Sequence, residues 1–93
     1  MIRHTVLMRF TDPADAAEAK QRLDGLLGAV PALLTMQVDL DVLRTEASYD
    51  LALVTTHEDR DGLAAYAADP AHLEVLGWLR PRLAGRVVVD AEA

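Results

Sequence analysis

The chain has 93 residues, no cysteine and a net charge of −6, with its nine basic residues spread along its length rather than clustered. One domain is expected over residues 1–93, because so short a chain has no room for a second core. The missing cysteine excludes disulfides, thiol catalysis and thiolate metal sites. An acidic chain without a basic run argues against nucleic acid or an anionic membrane as partner.

Ile2 to Phe10 alternates, with Ile2, His4, Val6, Met8 and Phe10 on one face, so a first strand is expected there. His4 is the one polar residue of that face. Asp12-Pro13 reads as a cap followed by a first helical residue, and Ala16, Ala19, Leu23, Leu26, Leu27 and Val30 follow at helical spacing. Gly28 and Pro31 predict an end near Ala29.

Alternation returns from Thr35 to Leu43, and again from Tyr49 to Thr56. The polar segment Arg44–Ser48 between them predicts an antiparallel hairpin. A helix is expected over Asp59–Ala68. Asp69-Pro70 repeats the cap-plus-proline pattern and starts another, on which His72, Leu76, Leu79 and Leu83 form one stripe. Pro81 disturbs its last turn and Gly85 ends it. Arg86–Asp90 predicts the last strand, with Ala91–Ala93 as a frayed tail.

The order strand–helix–strand–strand–helix–strand is that of an α+β, ferredoxin-like βαββαβ fold with a four-stranded antiparallel sheet. Its helices lie on one face. The other face carries apolar residues too, and a second copy is the simplest cover, so a homodimer is expected. No segment reads as a signal peptide or a membrane span, which predicts a cytoplasmic protein with no membrane partner.

Chemistry centres on His4, His72 and Tyr66. Both histidines sit where leucines or valines belong, and buried polar groups need partners. Six helical residues turn through roughly 600°, so an unbroken helix would part Tyr66 from His72; Pro70 breaks it and lets both face one cavity. Two imidazoles and a phenol suit proton transfer next to a carbonyl. The plainer readings stand beside this one: His72 and His4 as satisfied core histidines, Tyr66 as a helix residue with a wet hydroxyl, Asp69 as an N-cap. His57 reads as a solvated turn residue. The Asp39/Asp41 pair reads as a polar strand face, with a hard cation across a dimer as the weaker reading. No histidine spacing marks a metal site, no glycine-rich loop marks a nucleotide site, and Ser48, the only serine, lies in no nucleophile elbow.

Three segments resemble the stress-responsive α/β-barrel (Dabb) family: Met1–Phe10, the Tyr-x-x-[His/Asp]-Pro-x-His run from Tyr66 to His72, and Val87–Asp90. The resemblance covers nearly the whole chain. It implies ferredoxin-like domains paired into a dimeric α+β barrel. It also implies site roles. In a plant polyketide cyclase of this family, which works without a cofactor, a histidine is the base of an aldol cyclisation and a tyrosine positions the substrate. The base corresponds to His72, the tyrosine to Tyr66 and a pocket-lining first-strand histidine to His4. This chain departs from the pattern at His57, where an aromatic is common, and at Asp69, which replaces that cyclase's histidine before proline. Small alanines surround Tyr66 as well. Such changes reshape a pocket, so the cyclase's substrate is not carried over. Some members bind magnesium near the dimer interface, but no clear ligand set is found here; no metal and no cofactor are expected.

Three functions follow from these readings. The first is a cofactor-free cyclase or lyase, with a monooxygenase as a variant, acting on a small carbonyl compound through His72, Tyr66 and His4. The second is a non-catalytic protein that binds a small ligand or is associated with stress. The third is a dimerisation module. An enzyme needs a cavity of a few hundred Å³ reaching His72, whereas a structural module fills that space with side chains.

Overall fold

In the computed structural model, which describes all 93 residues, strand β1 (Ile2–Phe10) is flanked on both sides. The sheet is antiparallel throughout, in the order β2 (Thr35–Leu40), β3 (Leu51–His57), β1, β4 (Leu83–Glu92). Helices α1 (Asp15–Asp24), α2 (Arg60–Ala68) and α3 (Pro70–Leu79) form a layer on one face, and a 3₁₀ turn at Arg80–Arg82 leads into β4. The fold is the expected ferredoxin-like one. No helix is long and apolar enough to cross a membrane.

The core lies between the sheet's inner face and the helices. Val6, Met8 and Phe10 of β1 and Leu51 and Leu53 of β3 are buried there with Ala16, Ala19 and Leu23 of α1 and Leu79 of α3. The alternation of β1 puts its even residues inward, because successive side chains on a strand point to opposite faces.

Several boundaries move. Helix α1 begins at Asp15, two residues beyond Pro13; Asp12 accepts the Ala14 N–H at 3.0 Å. It ends at Asp24, not near Ala29. The chain continues in turns, with Gly28 at φ 87°, and those turns still bury Leu26, Val30 and Leu33. Strand β2 stops at Leu40, because Asp41 takes the Arg44 N–H into a turn at 2.8 Å. Strand β4 starts at Leu83, takes in Gly85 and runs on to Glu92. The expected frayed tail is therefore largely paired: Ala91 faces Arg3, Glu92 faces Ile2, and the Ala93 N–H donates to the Met1 carbonyl at 2.9 Å.

The helices cover β2, β3 and β1 but leave β4 bare. Every residue of β4 from Arg86 to Glu92 is exposed, although Arg86, Val88, Asp90 and Glu92 share the inner face with Met8, Val6, His4 and Ile2. The outer face has no cover either, and Leu7, Val87 and Val89 lie open on it.

The β2–β3 end is held by one carboxylate. Asp50, 4% exposed, accepts the Phe10 N–H at 2.7 Å and the Arg44 guanidinium at 2.8 Å. Burial pushes its pKa up, but the Phe10 and Arg44 hydrogen bonds and the charges of Arg44 and Arg9 outweigh burial and hold it below the usual carboxylate value. Arg44 itself sits at φ 55°, left-handed backbone that a non-glycine residue adopts at a cost and that these bonds over-determine. Because the folded pKa is depressed, the contribution of Asp50 is complete above the unfolded value of 3.8 and is lost as pH falls through the lower folded value. Asp50→Ala strands the buried Phe10 N–H and should lower unfolding free energy by roughly 2–3 kcal/mol in urea titrations at neutral pH. The difference from the native protein should shrink as pH falls below 3.8.

Candidate functional site

The site grows from the break between α2 and α3. Pro70 has no N–H to continue α2, and Asp69 turns to an extended ψ of 135°. The Asp69 carboxylate accepts the Ala71 N–H at 2.9 Å and caps α3. The chain restarts with its axis redirected, and the Tyr66 and His72 rings come together with centres 4.3 Å apart.

Tyr66 is the hub of an aromatic cluster. His57 packs on it at 4.8 Å between ring centres, and His4 lies 6.5 Å away in an edge arrangement. The structure thus brings together His72, Tyr66 and His4. It adds His57, expected from the sequence to be a solvated turn residue. That reading is wrong: His57 is the last residue of β3, faces inward and is fully buried. Its place on the inner side of the period-two pattern, after Leu51, Leu53 and Thr55, was the signal that could have found it.

Each histidine uses Nδ1 to donate to an oxygen. His57 gives it to the Ala32 carbonyl at 2.9 Å, and its Nε2 meets the Thr55 hydroxyl at 2.9 Å, so both ring nitrogens are used. His4 gives its Nδ1–H to the Asp90 carboxylate at 2.5 Å. His72 gives its own to the Ala67 carbonyl at 3.1 Å. A carbonyl or carboxylate only accepts, so Nδ1 carries a hydrogen in each ring, and the Nε2 atoms of His4 and His72 have no partner in the protein.

Tyr66 is the exception to this bookkeeping of partners. The residue is 1% exposed, and its hydroxyl is the one buried side-chain polar atom without a hydrogen-bond partner in the protein. Burial pushes its pKa up to about 12, against a smaller downward pull from the Arg86 charge, so the phenol remains a donor at all physiological pH. Burial likewise lowers the His72 pKa. The charges of His4 and Arg86 lower it further, while the Ala67 bond and Asp69 raise it. His72 is thereby kept a neutral base near neutral pH.

The expected cavity joining the three residues is not formed. A cleft of about 320 Å³ lies between α2 and the β1/β4 edge, lined by Ile2, Arg60, Leu63, Asp90, Ala91 and Glu92. It reaches the carboxylate that holds His4 but not Tyr66 or His72. A second, of about 250 Å³, lies by the outer sheet face and includes Leu7, Asp39, Asp41 and Tyr49. The space around Tyr66 is filled because His57 and His72 pack directly on its ring.

An unbonded buried hydroxyl is a net cost to folding, so Tyr66→Phe should leave stability unchanged or raise it by about 1 kcal/mol in urea denaturation. In the same variant, the absorbance phase of tyrosine ionisation near pH 12 should disappear.

The sequence profile of the Stress Responsive A/B Barrel Domain (Dabb) family matches residues 2–93. A dimeric ferredoxin-like protein of unknown function from Thermobifida fusca is 32% identical, with 99% of this chain and 90% of that one aligned and a TM-score of 0.87. A similar dimeric protein from Jannaschia is 28% identical over 99% of this chain and 98% of that one, with a TM-score of 0.81. Hydroxynitrile lyase from Passiflora edulis shares the fold at 16% identity, with 97% of this chain and 90% of that one aligned and a TM-score of 0.81. No curated protein sequence matches the chain. A profile spanning all but the first residue, together with the 32% identical relative, makes this chain a member of the stress-responsive A/B barrel domain family.

Proposed function

We propose that this protein is a cofactor-free enzyme of the lyase or cyclase class that removes a proton from carbon next to a carbonyl group. The observation that carries the reading is the pairing at the helix break. His72 has its hydrogen committed to the Ala67 carbonyl and its Nε2 free, and its ring lies 4.3 Å from that of Tyr66, whose donor is unspent. In the reaction, His72 Nε2 takes the proton and the C–H electron pair becomes the new C=C bond. The carbonyl oxygen, now an enolate, accepts the Tyr66 O–H. The enolate carbon then attacks an electrophile or takes the proton back from the imidazolium. His4, oriented by Asp90, stands as the supporting imidazole. A protein of this fold bears the name hydroxynitrile lyase, so a lyase is compatible with the fold.

Substrate enters along the bare inner face of β4 and displaces side chains to reach the phenol. The free energy that the unbonded hydroxyl costs the empty protein is recovered when it binds the substrate oxygen.

A second reading, a non-catalytic, stress-associated dimerisation protein, draws support from the close packing around Tyr66, which leaves no cavity there. The two readings part in a test of deuterium exchange at the α-carbon of small ketones, aldehydes and β-dicarbonyl compounds, followed by NMR in heavy water. The enzyme exchanges at least one of them faster than buffer does, and His72→Asn slows this by about a hundredfold. The rate climbs with pH through a value below 6.5, as His72 loses its proton, and then stays level. Exchange no faster than in buffer for every compound establishes the second reading instead.

We also infer that the protein works as a homodimer joined through its outer sheet face. Leu7, Val87 and Val89 lie there without a helix to cover them, and the relatives from Thermobifida fusca and Jannaschia are dimeric. Leu7→Glu places a charge in the middle of that face and should convert a dimer to a monomer in sedimentation velocity at micromolar concentration.

A further inference from the structure

Nine basic residues are present, and most are occupied. Lys20, Arg22, Arg44 and Arg60 pair with carboxylates, while Arg9 and Arg82 lie over the Tyr49 and Trp78 rings. Arg3, Arg80 and Arg86 make no such contact. Arg3 is on the outer sheet face, and Arg80 follows α3 at the far end of that helix from His72. Arg86 alone is on the inner face. It stands opposite Met8 on β4, four residues before Asp90, the partner of His4, with only Val88 between them on that face.

We propose that Arg86 anchors the carboxylate of the substrate, which makes the substrate a carbonyl compound that is also an acid. This rests on the function proposed above and specifies its substrate class. The guanidinium is exposed and free of any carboxylate, and no helix covers the strand that carries it. Arg86 shares the inner face of β4 with Asp90, the partner of His4, and in keeping with that place its charge lowers the pKa of both Tyr66 and His72. An acid whose carboxylate meets Arg86 can turn its carbonyl oxygen towards the Tyr66 hydroxyl, the unpartnered donor. A guanidinium suits this work because its fork of N–H groups matches a carboxylate in two parallel bonds. The protein as a whole carries a charge of −6 and repels anions, so an unpaired cation beside the site gives the acid a local reason to bind.

The probes are 3-benzoylpropionate, a stable keto acid, and its neutral methyl ester. Binding is read from the NMR signals of the His72 ring, assigned with His72→Asn. The acid should shift them and bind about tenfold more tightly than the ester, the scale of one charge-assisted pair at a partly exposed site. Arg86→Gln should weaken the acid to the level of the ester and leave the ester unchanged, which also shows that the variant is folded. Arg86→Lys should keep part of the preference. Equal binding of acid and ester to the native protein, or a preference that survives in Arg86→Gln, overturns the anchor while the carbonyl site stands. If neither probe moves the His72 signals at millimolar concentration, the anchor falls together with the function on which it rests.

Discussion

A proline has no N–H to give to the carbonyl four residues before it, and in this chain that carbonyl belongs to Tyr66. The helix must stop, and Asp69 serves both helices: its own N–H closes α2 on the Tyr66 carbonyl at 3.2 Å, and its carboxylate opens α3. Without the break, the six residues from Tyr66 to His72 would turn through roughly 600° and send the two rings to different faces. With it, the rings pack at 4.3 Å between centres, tilted by 44°, His57 closes the other contact on the phenol, and α3 is redirected so that Val75 and Leu79 enter the core. Site and core packing thus share one cause.

The cluster also shows how polar groups are ordered when they are buried. All three histidines donate from Nδ1 to an oxygen set by the backbone or by a strand neighbour, which leaves each ring with one tautomer and one orientation. His57 is satisfied at both nitrogens and acts as a wall. His4 and His72 are satisfied at one nitrogen and leave Nε2 without a partner. Tyr66 is satisfied nowhere. A gradient from fully used to unused hydrogen-bonding capacity runs through the four residues, and the unused end is where a ligand gains most.

Strand β4 leaves bare the sheet face that borders this buried cluster. Its partner β1 is nine residues long, and β4 pairs along all of it, with one irregularity at Arg9 and Phe10. The helices are too few to cover a fourth strand, so the inner face of β4 meets solvent and carries Arg86, Asp90 and Glu92 where a buried strand would carry valines. The outer face is bare for a different reason: all three helices lie on the other side. One uncovered surface borders the site, and the other offers itself to a second copy.

Period-two and helical patterns by themselves determined the element order, the inward face of β1 and the break at Pro70, because these follow from local backbone geometry. His4, Tyr66 and His72 were legible for the same reason, each a polar group at an apolar position or beside the break. The ends of elements were not. Leu83, Ala84, Ala91 and Glu92 become strand through pairing with β1, and the residues after Asp24 leave the helix although Leu26 and Val30 keep its spacing. Nor was His57 legible as a site residue. Its burial depends on the Ala32 carbonyl, 25 positions away, and on the ring of Tyr66. The unpaired state of Arg86 and the unspent hydroxyl of Tyr66 were likewise decided only in three dimensions, since having no partner is a property of everything packed nearby.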